Sequence, residues 1–377
     1  MSTALLLLLW LVTWTYVGAA LLASWRFSRR PMLAPAEGPP ISVLKPLYGA
    51  EPGLYENLRS FAEQDYAEFQ VVLGLRDRTD AALQVARKLM DKQSERDIAL
   101  VVDPYVSGSN LKVANLENML PAARHDLIVI ADSDMRVTRD YLAIIAAPLA
   151  DPGVGIVTCP YKAVPDGRLW SRLAALHINY SFLPGALIGD WMRVGGGCFG
   201  ATLALRREVL ERIGGFGRVR NELADDHRMG SAVRGLGLAA VLSPYLVENR
   251  VSEPSLASLW RHELRWARTS KAMAPGGFAG SAVTHTVALA VLAALVCEPV
   301  AAAALLMGSL LLRWASAAAI ARWLDLPRDG LWLLPLRDIL SFAVFVGSFC
   351  GRSVSWRDRV FRVEQGGRMR LEGDKPV

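Results

Sequence analysis

Two closely spaced carboxylates stand at the end of a strongly apolar segment. Asp132 and Asp134 follow the run LIVIA, with only Ser133 between them. Like charges at this spacing raise one another's pKa unless a cation or a hydrogen-bond donor compensates them. Carboxylate oxygens suit a divalent ion, and Mg²⁺ in proteins usually also binds phosphate oxygens. The pattern therefore predicts a metal site for a phosphorylated ligand, and solvated turn residues or a helix cap are the alternative.

Three further acids extend this hypothesis. Asp77 follows the apolar segment FQVVLGL, and Asp225 and Asp226 begin a predicted helix. Acids favour helix N-termini through capping and the helix dipole, which is one explanation for the adjacent pair. The other explanation is a general base, for which only one of the two carboxylates needs to face a cleft.

Strands that alternate with helices must position these acids. Between residue 41 and about residue 270 the sequence predicts strands at 41–46, 69–75, 97–102 and 126–131 and helices at 56–63, 81–92 and 115–123. This alternation predicts an α/β domain with a mostly parallel, doubly wound sheet. Ligands of such sheets bind beyond the carboxyl ends of the strands. Asp77 and the Asp132/Asp134 pair would therefore share one crevice if their strands are neighbours.

A glycine-rich loop follows farther along the chain. The segment GGGCFGATLALRREVLERIGGF (195–216) combines this loop with a predicted strand at 201–205 and a short helix. Glycine permits close backbone approach or a positive φ. The glycines could simply form turns between secondary-structure elements, but we expect them to line a substrate path.

A predicted helix over 255–271 (SLASLWRHELRWARTSK) carries apolar and cationic side chains at helical spacing. One interpretation is an interfacial amphipathic helix with tryptophan at the level of the lipid headgroups. A second, compatible interpretation makes Arg265 and Trp266 a lid over a phosphate group.

Apolar residues concentrate at the two ends of the chain, which is 52% hydrophobic overall. Residues 4–25 carry no charge and are long enough to cross a bilayer. They lack a basic n-region and a clear cleavage site, which favours an anchor over a signal peptide. The arginines of RFSRR (26–30) then predict that the following domain is cytoplasmic.

The C-terminal third contains two more apolar segments. Residues 281–312 could form one tilted helix or a hairpin kinked at Glu298–Pro299, and residues 331–350 could form another crossing. The tail over 352–370 is rich in arginine and should also be cytoplasmic. If both the middle domain and the tail are cytoplasmic, the C-terminal region between them crosses the membrane an even number of times, and we expect two crossings.

Charge and cysteine content exclude other classes of function. The net charge of +6 is explained by juxtamembrane arginines that are attracted to anionic lipid. No basic stripe with interleaved aromatic residues indicates nucleic-acid binding. The four cysteines are far apart and lack metal-ligand spacing, which fits a reduced compartment.

A D-x-D sequence after a strand also occurs in haloacid-dehalogenase-type phosphatases, which use the first Asp as a nucleophile. Their motif has Thr or Val four residues after that Asp, whereas this chain has Arg136 there. The sequence therefore disfavours this alternative.

The order of the motifs carries a family resemblance. Asp, D-x-D, (E/D)-D and (Q/R)-x-x-R-W resemble the motifs of membrane-anchored glycosyltransferases of families 2 and 21, which have a GT-A fold. Over 41–271 the chain resembles ceramide glucosyltransferases. Segments such as SVLKPLYGAEPGLYENLRSF and NLKVANLENMLPAARHDLIVIADSDMRV are more similar to the hopanoid-biosynthesis branch. The N-terminal anchor and the apolar C-terminal region extend the resemblance over nearly the whole chain.

The resemblance implies a donor site that binds a nucleotide sugar and a divalent cation. Asp77, Lys112, Asp132 and Asp225 would bind the nucleotide sugar. Asp132 and Asp134 would hold Mg²⁺ or Mn²⁺ on its diphosphate.

The resemblance also implies catalytic roles. Asp226 would be the general base, and Arg265 and Trp266 would close over the donor or acceptor. The first position of the (Q/R)-x-x-R-W motif is His262 instead of Gln or Arg. Arg261 lies beside it, but a shift of one residue on a helix rotates a side chain by about 100°.

The implied activity is inverting transfer of a hexosyl unit, with N-acetylglucosamine favoured, from a UDP-sugar to a membrane lipid. The favoured acceptor is a hopanoid such as bacteriohopanetetrol. A ceramide glucosyltransferase, a processive polysaccharide synthase and a non-catalytic membrane scaffold are alternatives. The synthase would normally have more membrane spans and Gln in place of His262. The implied location is the bacterial inner membrane, crossed several times, with the catalytic domain facing the cytoplasm.

The predicted organisation has six segments. These are an anchor (1–25), a basic juxtamembrane linker (26–40), a cytosolic GT-A domain (41–254), an amphipathic interfacial helix with the RW motif (255–280), a transmembrane region (281–351) and a basic cytosolic tail (352–377).

Overall fold

The computed structural model describes residues 3–33, 38–193, 197–356, 359–364 and 366–371, with the backbone alone for 3–9, 356 and 359. Its helices are α1 (Thr3–Ser28), α2 (Leu54–Ala62), α3 (Ala82–Lys92), α4 (Leu111–Met119), α5 (Tyr141–Ala146), α6 (Leu169–His177), α7 (Leu183–Trp191), α8 (Arg207–Arg212), α9 (Asp225–Gly235), α10 (Leu256–Met273), α11 (Pro275–Gly280), α12 (Thr286–Ala294), α13 (Pro299–Trp323) and α14 (Leu334–Gly347). Its strands are β1 (Ile41–Pro46), β2 (Phe69–Leu75), β3 (Ile98–Val102), β4 (Leu127–Ile130), β5 (Met135–Arg136), β6 (Val154–Thr158), β7 (Tyr161–Pro165), β8 (Leu203–Arg206), β9 (Ala239–Leu242), β10 (Val247–Val251), β11 (Ser353–Trp356), β12 (Arg359–Val363) and β13 (Met369–Leu371).

Residues 30–162 and 193–250 form one compact unit, which we call the sheet unit. Its main sheet has seven strands in the order β3-β2-β1-β4-β8-β6-β9. The first four strands are parallel, β8 runs antiparallel to both of its neighbours, and β9 is parallel to β6. The predicted mostly parallel sheet is confirmed.

Helices cover both faces of this sheet. Because successive strand residues point to opposite faces, Val43 and Val129 pack with α2, α3 and α5, whereas Leu44 and Ile130 pack with α4, α8 and α9. All four of these strand residues are fully buried. Both faces are therefore filled with apolar side chains, and the acids after β4 lie beyond the end of a buried strand.

Helix α4 begins earlier than the apolar pattern predicts. The expected start was residue 115, whereas the helix begins at Leu111. The reason is a cap, because the side chain of Asn110 accepts hydrogen bonds from the backbone N–H groups of Lys112 and Val113.

The described residues within 1–29, 163–192 and 251–377 form the second unit, which we call the helical unit. In it α1 contacts α7 and α13, α12 packs against α13, and α10 packs against α14. A π-helical turn at Ile178–Phe182 joins α6 to α7. Arg313 of α13 donates to the carbonyl of Tyr180 in this turn at 2.8 Å and pairs with Asp338 of α14. The buried cation is thus fully compensated within the helical unit.

Among the described residues, α13 is long and apolar enough to cross a membrane. The segments Pro275–Thr284 and Thr286–Ala294 could form a second span, but they are bent by 67° where they meet. The break expected at Glu298–Pro299 is present, because α12 ends at Ala294 and α13 begins at Pro299. The N-terminal anchor stays a prediction, since α1 includes residues whose side chains lie outside the description.

The predicted tail contains regular structure. Strands β11, β12 and β13 form an antiparallel sheet between residues 353 and 371. Apolar residues recur along these strands and are buried on one face of the sheet: Val354, Phe361, Val363 and Met369. Residues 372–377 of the predicted tail lie outside the described residues.

Candidate active site

Lys112 lies at the centre of a cluster of carboxylates in the sheet unit. Its ammonium nitrogen is 2.8 Å from Oδ1 of Asp132 and 3.3 Å from Oδ2 of Asp225. The capped start of α4 places Lys112, and the end of β4 and the start of α9 place the two acids. Four residues are predicted to bind the nucleotide sugar, and the structure brings three of them, Lys112, Asp132 and Asp225, into direct contact.

Gly200 marks the point where the cluster converges. A Cβ atom at this position would lie 2.7 Å from Oδ2 of Asp132, 3.2 Å from Nζ of Lys112 and 3.5 Å from Oδ2 of Asp226. A side chain at this position would collide with Asp132, so glycine is what allows these three charged groups to approach the backbone so closely. Gly200 is thus the described glycine of this loop that contacts the cluster, and the substrate path stays a prediction. Gly195 and Gly196 lie outside the described residues.

Asp226 is held by the backbone. The N–H of Gly200 donates to its Oδ2 at 2.8 Å, and the N–H of His227 donates to its Oδ1 at 2.7 Å. Burial raises the pKa of Asp226 to about 6, and the charge of Asp225 adds to this effect, while Lys112 opposes it. A carboxylate with such a pKa is a better proton acceptor near neutrality than an ordinary aspartate, as a general base requires.

Asp134 has a different environment from Asp132. Its carboxylate accepts a hydrogen bond from the side-chain amide of Asn249 at 2.7 Å, and its carbonyl accepts one from the backbone N–H of Arg250. Burial raises the pKa of Asp134, and the neighbouring charge of Asp132 raises it further. The strand β10 thus orients the second acid of the D-x-D pair.

Lys45 lies behind the pair and is fully buried. Its ammonium group donates to the backbone carbonyl of Asp132 and lies 3.7 Å from the centre of the Phe61 ring. Burial lowers the pKa of Lys45 to about 7, although the charges of Asp134 and Asp132 oppose the shift. The lysine fixes the backbone that carries the two acids.

Asp77 lies at the same edge of the sheet but not beside the pair. β1 stands between β2 and β4, so the two strands that carry these acids are not neighbours. About 10 Å of sheet separates alternate strands. Asp77 is exposed and accepts hydrogen bonds from the backbone and side chain of Thr79, which lower its pKa. The sequence predicts a shared crevice only if these strands are neighbours, and that condition is not met. The nucleotide-binding role of Asp77 stays a prediction.

The chemistry of Asp132 and Asp134 fits a divalent cation that is shared with a ligand. Within the described ranges, no group of three His, Cys, Asp or Glu side chains could hold a metal by itself. Asp132 and Asp134 supply hard oxygen ligands, and the side chain of Asp132 is 34% exposed. Mg²⁺ and Mn²⁺ commonly take one or two carboxylates plus phosphate and water oxygens.

Arg265 and Trp266 lie on α10 in the helical unit, and both are half-buried. One turn earlier on the same helix, Nδ1 of His262 lies 2.8 Å from Oε1 of Glu253. The rings of His262 and Trp266 are 4.4 Å apart between centroids. The predicted helix is confirmed, and the lid function of Arg265 and Trp266 stays a prediction.

Four residues around the site were not singled out from the sequence. The signal for Lys45 was its position inside the apolar strand ISVLKP, since lysines are rarely fully buried without a partner. The signal for Asn110 was its residue type, because asparagine is preferred at helix N-caps. Gly200 belonged to a recognised loop but could not be distinguished from its neighbours. Asn249 had no local signal, because its partner Asp134 is 115 residues away in the chain.

Comparisons with known proteins show the family of the chain. Residues 5–369 match glycosyl transferase family 21. The chain is 23% identical to ceramide glucosyltransferase 3 of Caenorhabditis elegans over 350 residues, which are 88% of this chain and 74% of the relative. It is 24% identical to ceramide glucosyltransferase 1 of the same organism over 239 residues, which are 63% of this chain and 51% of the relative. The chain thus spans about half the length of that second relative.

A solved structure is also similar. It is a mannosyltransferase from Pyrobaculum calidifontis in complex with GDP-Man and Mn²⁺, with a TM-score of 0.54 and 23% identity over 90% of this chain and 99% of that chain. At this level of identity the similarity concerns the fold, and it confirms the predicted GT-A fold. The family match extends over nearly all of the 377 residues. The chain therefore belongs to glycosyl transferase family 21.

Proposed function

We propose that this chain is an inverting glycosyltransferase that moves a hexosyl unit from a UDP-sugar to a hydroxyl group of a membrane lipid. The observation that carries the proposal is the convergence of the side chains of Lys112, Asp132 and Asp226 around Gly200. A cation-binding acid and a proton-accepting acid within a few ångströms of each other are what the two halves of glycosyl transfer need.

The first half is departure of the diphosphate. Asp132 and Asp134 would hold a divalent cation, which when bound neutralises charge on a leaving diphosphate, an effect worth several kcal/mol. Lys112 adds a fixed positive charge beside Asp132, and preorganised charge of this kind costs no reorganisation during the reaction. Asp77, exposed at the same edge of the sheet, would contact the nucleoside.

The second half is attack by the acceptor. The acceptor oxygen forms a bond to the anomeric carbon while the bond from that carbon to the diphosphate oxygen breaks. The hydroxyl proton passes to the carboxylate of Asp226. Such a general base typically contributes about 10²–10⁴-fold. Two backbone N–H groups hold the carboxylate in place for this transfer.

A lipid acceptor is supported by two observations. The curated relatives bear the name ceramide glucosyltransferase, and α13 has the length and composition of a membrane span. N-acetylglucosamine transfer to a hopanoid such as bacteriohopanetetrol is the favoured reaction, on the sequence segments that resemble that branch. Glucose transfer to ceramide is the alternative that the names of the relatives favour. We place the enzyme in the bacterial inner membrane, with its sheet unit in the cytoplasm.

A panel of donors and acceptors tests the proposal. The purified protein in lipid vesicles is incubated with UDP-N-acetylglucosamine, UDP-glucose or GDP-mannose and with either bacteriohopanetetrol or ceramide. Mass spectrometry then measures the masses of the lipid products. We expect a single added hexosyl unit from one UDP-sugar. Asp226→Asn should bind the donor yet form no product. Absence of glycolipid from every pair would refute the proposal.

The same panel addresses a processive polysaccharide synthase, which would share the acidic motifs. Product length distinguishes the two functions, because a synthase adds many sugar units to one acceptor. Among the described residues, one helix and one bent pair could span a membrane, which favours transfer of a single sugar.

A further inference from the structure

The helix α10 carries two polar contacts that fix it within the helical unit. Glu263 makes a bidentate ion pair with Arg337 of α14, with both N–O distances at 2.7 Å. Arg337 is fully buried and also donates to Ser341 and to the carbonyl of Leu173. Since a buried pair of this geometry is costly to break, α10 has little freedom to rotate.

The second contact lies beside the first. Glu253, in the segment before α10, is only 5% exposed. Its backbone N–H donates a hydrogen bond to Oγ of Ser171 in α6 at 2.8 Å, which fixes the backbone at this residue. The Glu253 carboxylate therefore has a fixed position, and it lies 2.8 Å from Nδ1 of His262.

The ring of His262 contacts the ring of Trp266, so the position of His262 affects that of the indole. Residues four apart on a helix lie on the same face, and the two rings are 4.4 Å apart and tilted by 56°. The side chain of His262 is 40% exposed, so its packing alone does not fix the ring. The hydrogen bond to Glu253 sets the plane of the imidazole, in the way that carboxylates orient histidines elsewhere in proteins.

We propose that Glu253 and His262 are positioning residues that hold the indole of Trp266 in the orientation needed for transfer to the acceptor. This inference rests on the proposed function and on the predicted closure of Trp266 over the donor or acceptor. It gives His262 a role at a motif position where the resembling families have Gln or Arg. Glu253 acts through His262, and neither residue needs to touch the reacting atoms.

The first measurement requires no activity. The protein is labelled with 5-fluorotryptophan, and the ¹⁹F resonance of Trp266 is identified by its loss in Trp266→Phe. Glu253→Ala should shift or broaden this resonance, whereas Glu253→Gln, which keeps a hydrogen-bond acceptor, should leave it near its wild-type position. An unchanged Trp266 resonance in folded Glu253→Ala overturns the proposal.

The second measurement is kinetic. Glu253→Ala should lower kcat/KM for the lipid acceptor about 10-fold, as expected for the loss of one aromatic contact, while KM for the nucleotide sugar changes little. His262→Phe, which keeps a ring but loses the hydrogen bond, should retain more activity than His262→Ala. If Glu253→Ala does not fold, His262→Phe and His262→Ala are compared by both measurements.

The outcomes separate this inference from the proposed function. Wild-type protein that forms no glycolipid but shows the expected ¹⁹F changes would refute the function and leave the positioning contact in place. Active protein whose kcat/KM for the acceptor is the same in His262→Ala as in wild type would refute the inference alone.

Discussion

The ammonium group of Lys112 lies 2.8 Å from Oδ1 of Asp132, so the chain itself supplies a cation to the first acid of the D-x-D pair. Burial would lower the pKa of this lysine, but the charges of Asp132, Asp225 and Asp226 raise it above its ordinary value. Lys112 therefore stays charged at physiological pH. It holds together an acid that follows β4 and the acids that begin α9, elements far apart in the sequence.

Replacement of Lys112 should make stability depend on a divalent cation. Lys112→Met should lower the free energy of unfolding by about 3 kcal/mol, because buried carboxylates lose their partner. Mg²⁺ or Mn²⁺ should restore more stability to this variant than it adds to wild type. Thermal unfolding in EDTA and in excess cation measures both effects. The exposed Lys92→Met is the matched control, and equal Tm values for Lys112→Met and wild type in EDTA would contradict the prediction.

Gly200 provides a test of the crowded centre of the site. Gly200→Ala places a Cβ atom 2.7 Å from Oδ2 of Asp132, so Asp132 must move. We expect donor affinity to fall by about 10-fold or more, equivalent to about 1.4 kcal/mol. Isothermal titration with the nucleotide sugar and Mn²⁺ measures it. Gly197→Ala, in the same loop, meets no atom within 4 Å and should bind like wild type.

The rate of transfer should fall on acidification through about pH 6. Asp226 must be ionised to accept a proton, and burial raises its pKa from the ordinary 3.8 to about 6. The rate is therefore full above this pH and is lost below it. Since the charge of Asp225 contributes to the shift, Asp225→Asn should move the acidic limb of kcat to lower pH. A pH–rate profile measures this, with exposed Glu211→Gln as the control, and a limb that stays in place in Asp225→Asn would count against Asp226 as the base.

Chelation should stop the reaction. EDTA should abolish glycolipid formation, and added Mg²⁺ or Mn²⁺ should restore it, because two carboxylates alone cannot neutralise a departing diphosphate. Measurement of product by mass spectrometry suffices. Full activity in EDTA would refute a cation at Asp132 and Asp134.

The predicted topology can be tested with protease. In right-side-out vesicles, residues 26–280 should stay intact, because the arginines after residue 25 predict a cytoplasmic location. Inside-out vesicles are the control, and the same region should be cleaved there. Ready cleavage in right-side-out vesicles would overturn the orientation.

Much of the sheet unit was predictable because its signals are local. Apolar runs such as LIVIA predict buried strands, and their alternation with helices predicts a parallel sheet. Helix starts were less predictable, as α4 illustrates, because the cap at Asn110 outweighs the apolar period. The direction of β8 had no local signal, since hydrogen bonding to β4 and β6 decides it.

The sequence by itself determined the family, the fold class and the candidate acids, because motif order and hydrophobic periodicity are properties of the chain in one dimension. Only the tertiary structure decided which of these acids meet. It joined Asp132, Asp225 and Asp226 through Lys112 and Gly200, separated Asp77 by the width of β1, and added Lys45 and Asn249 behind the pair. The physical reason is that strand order and side-chain direction depend on packing between distant segments, which no local pattern specifies.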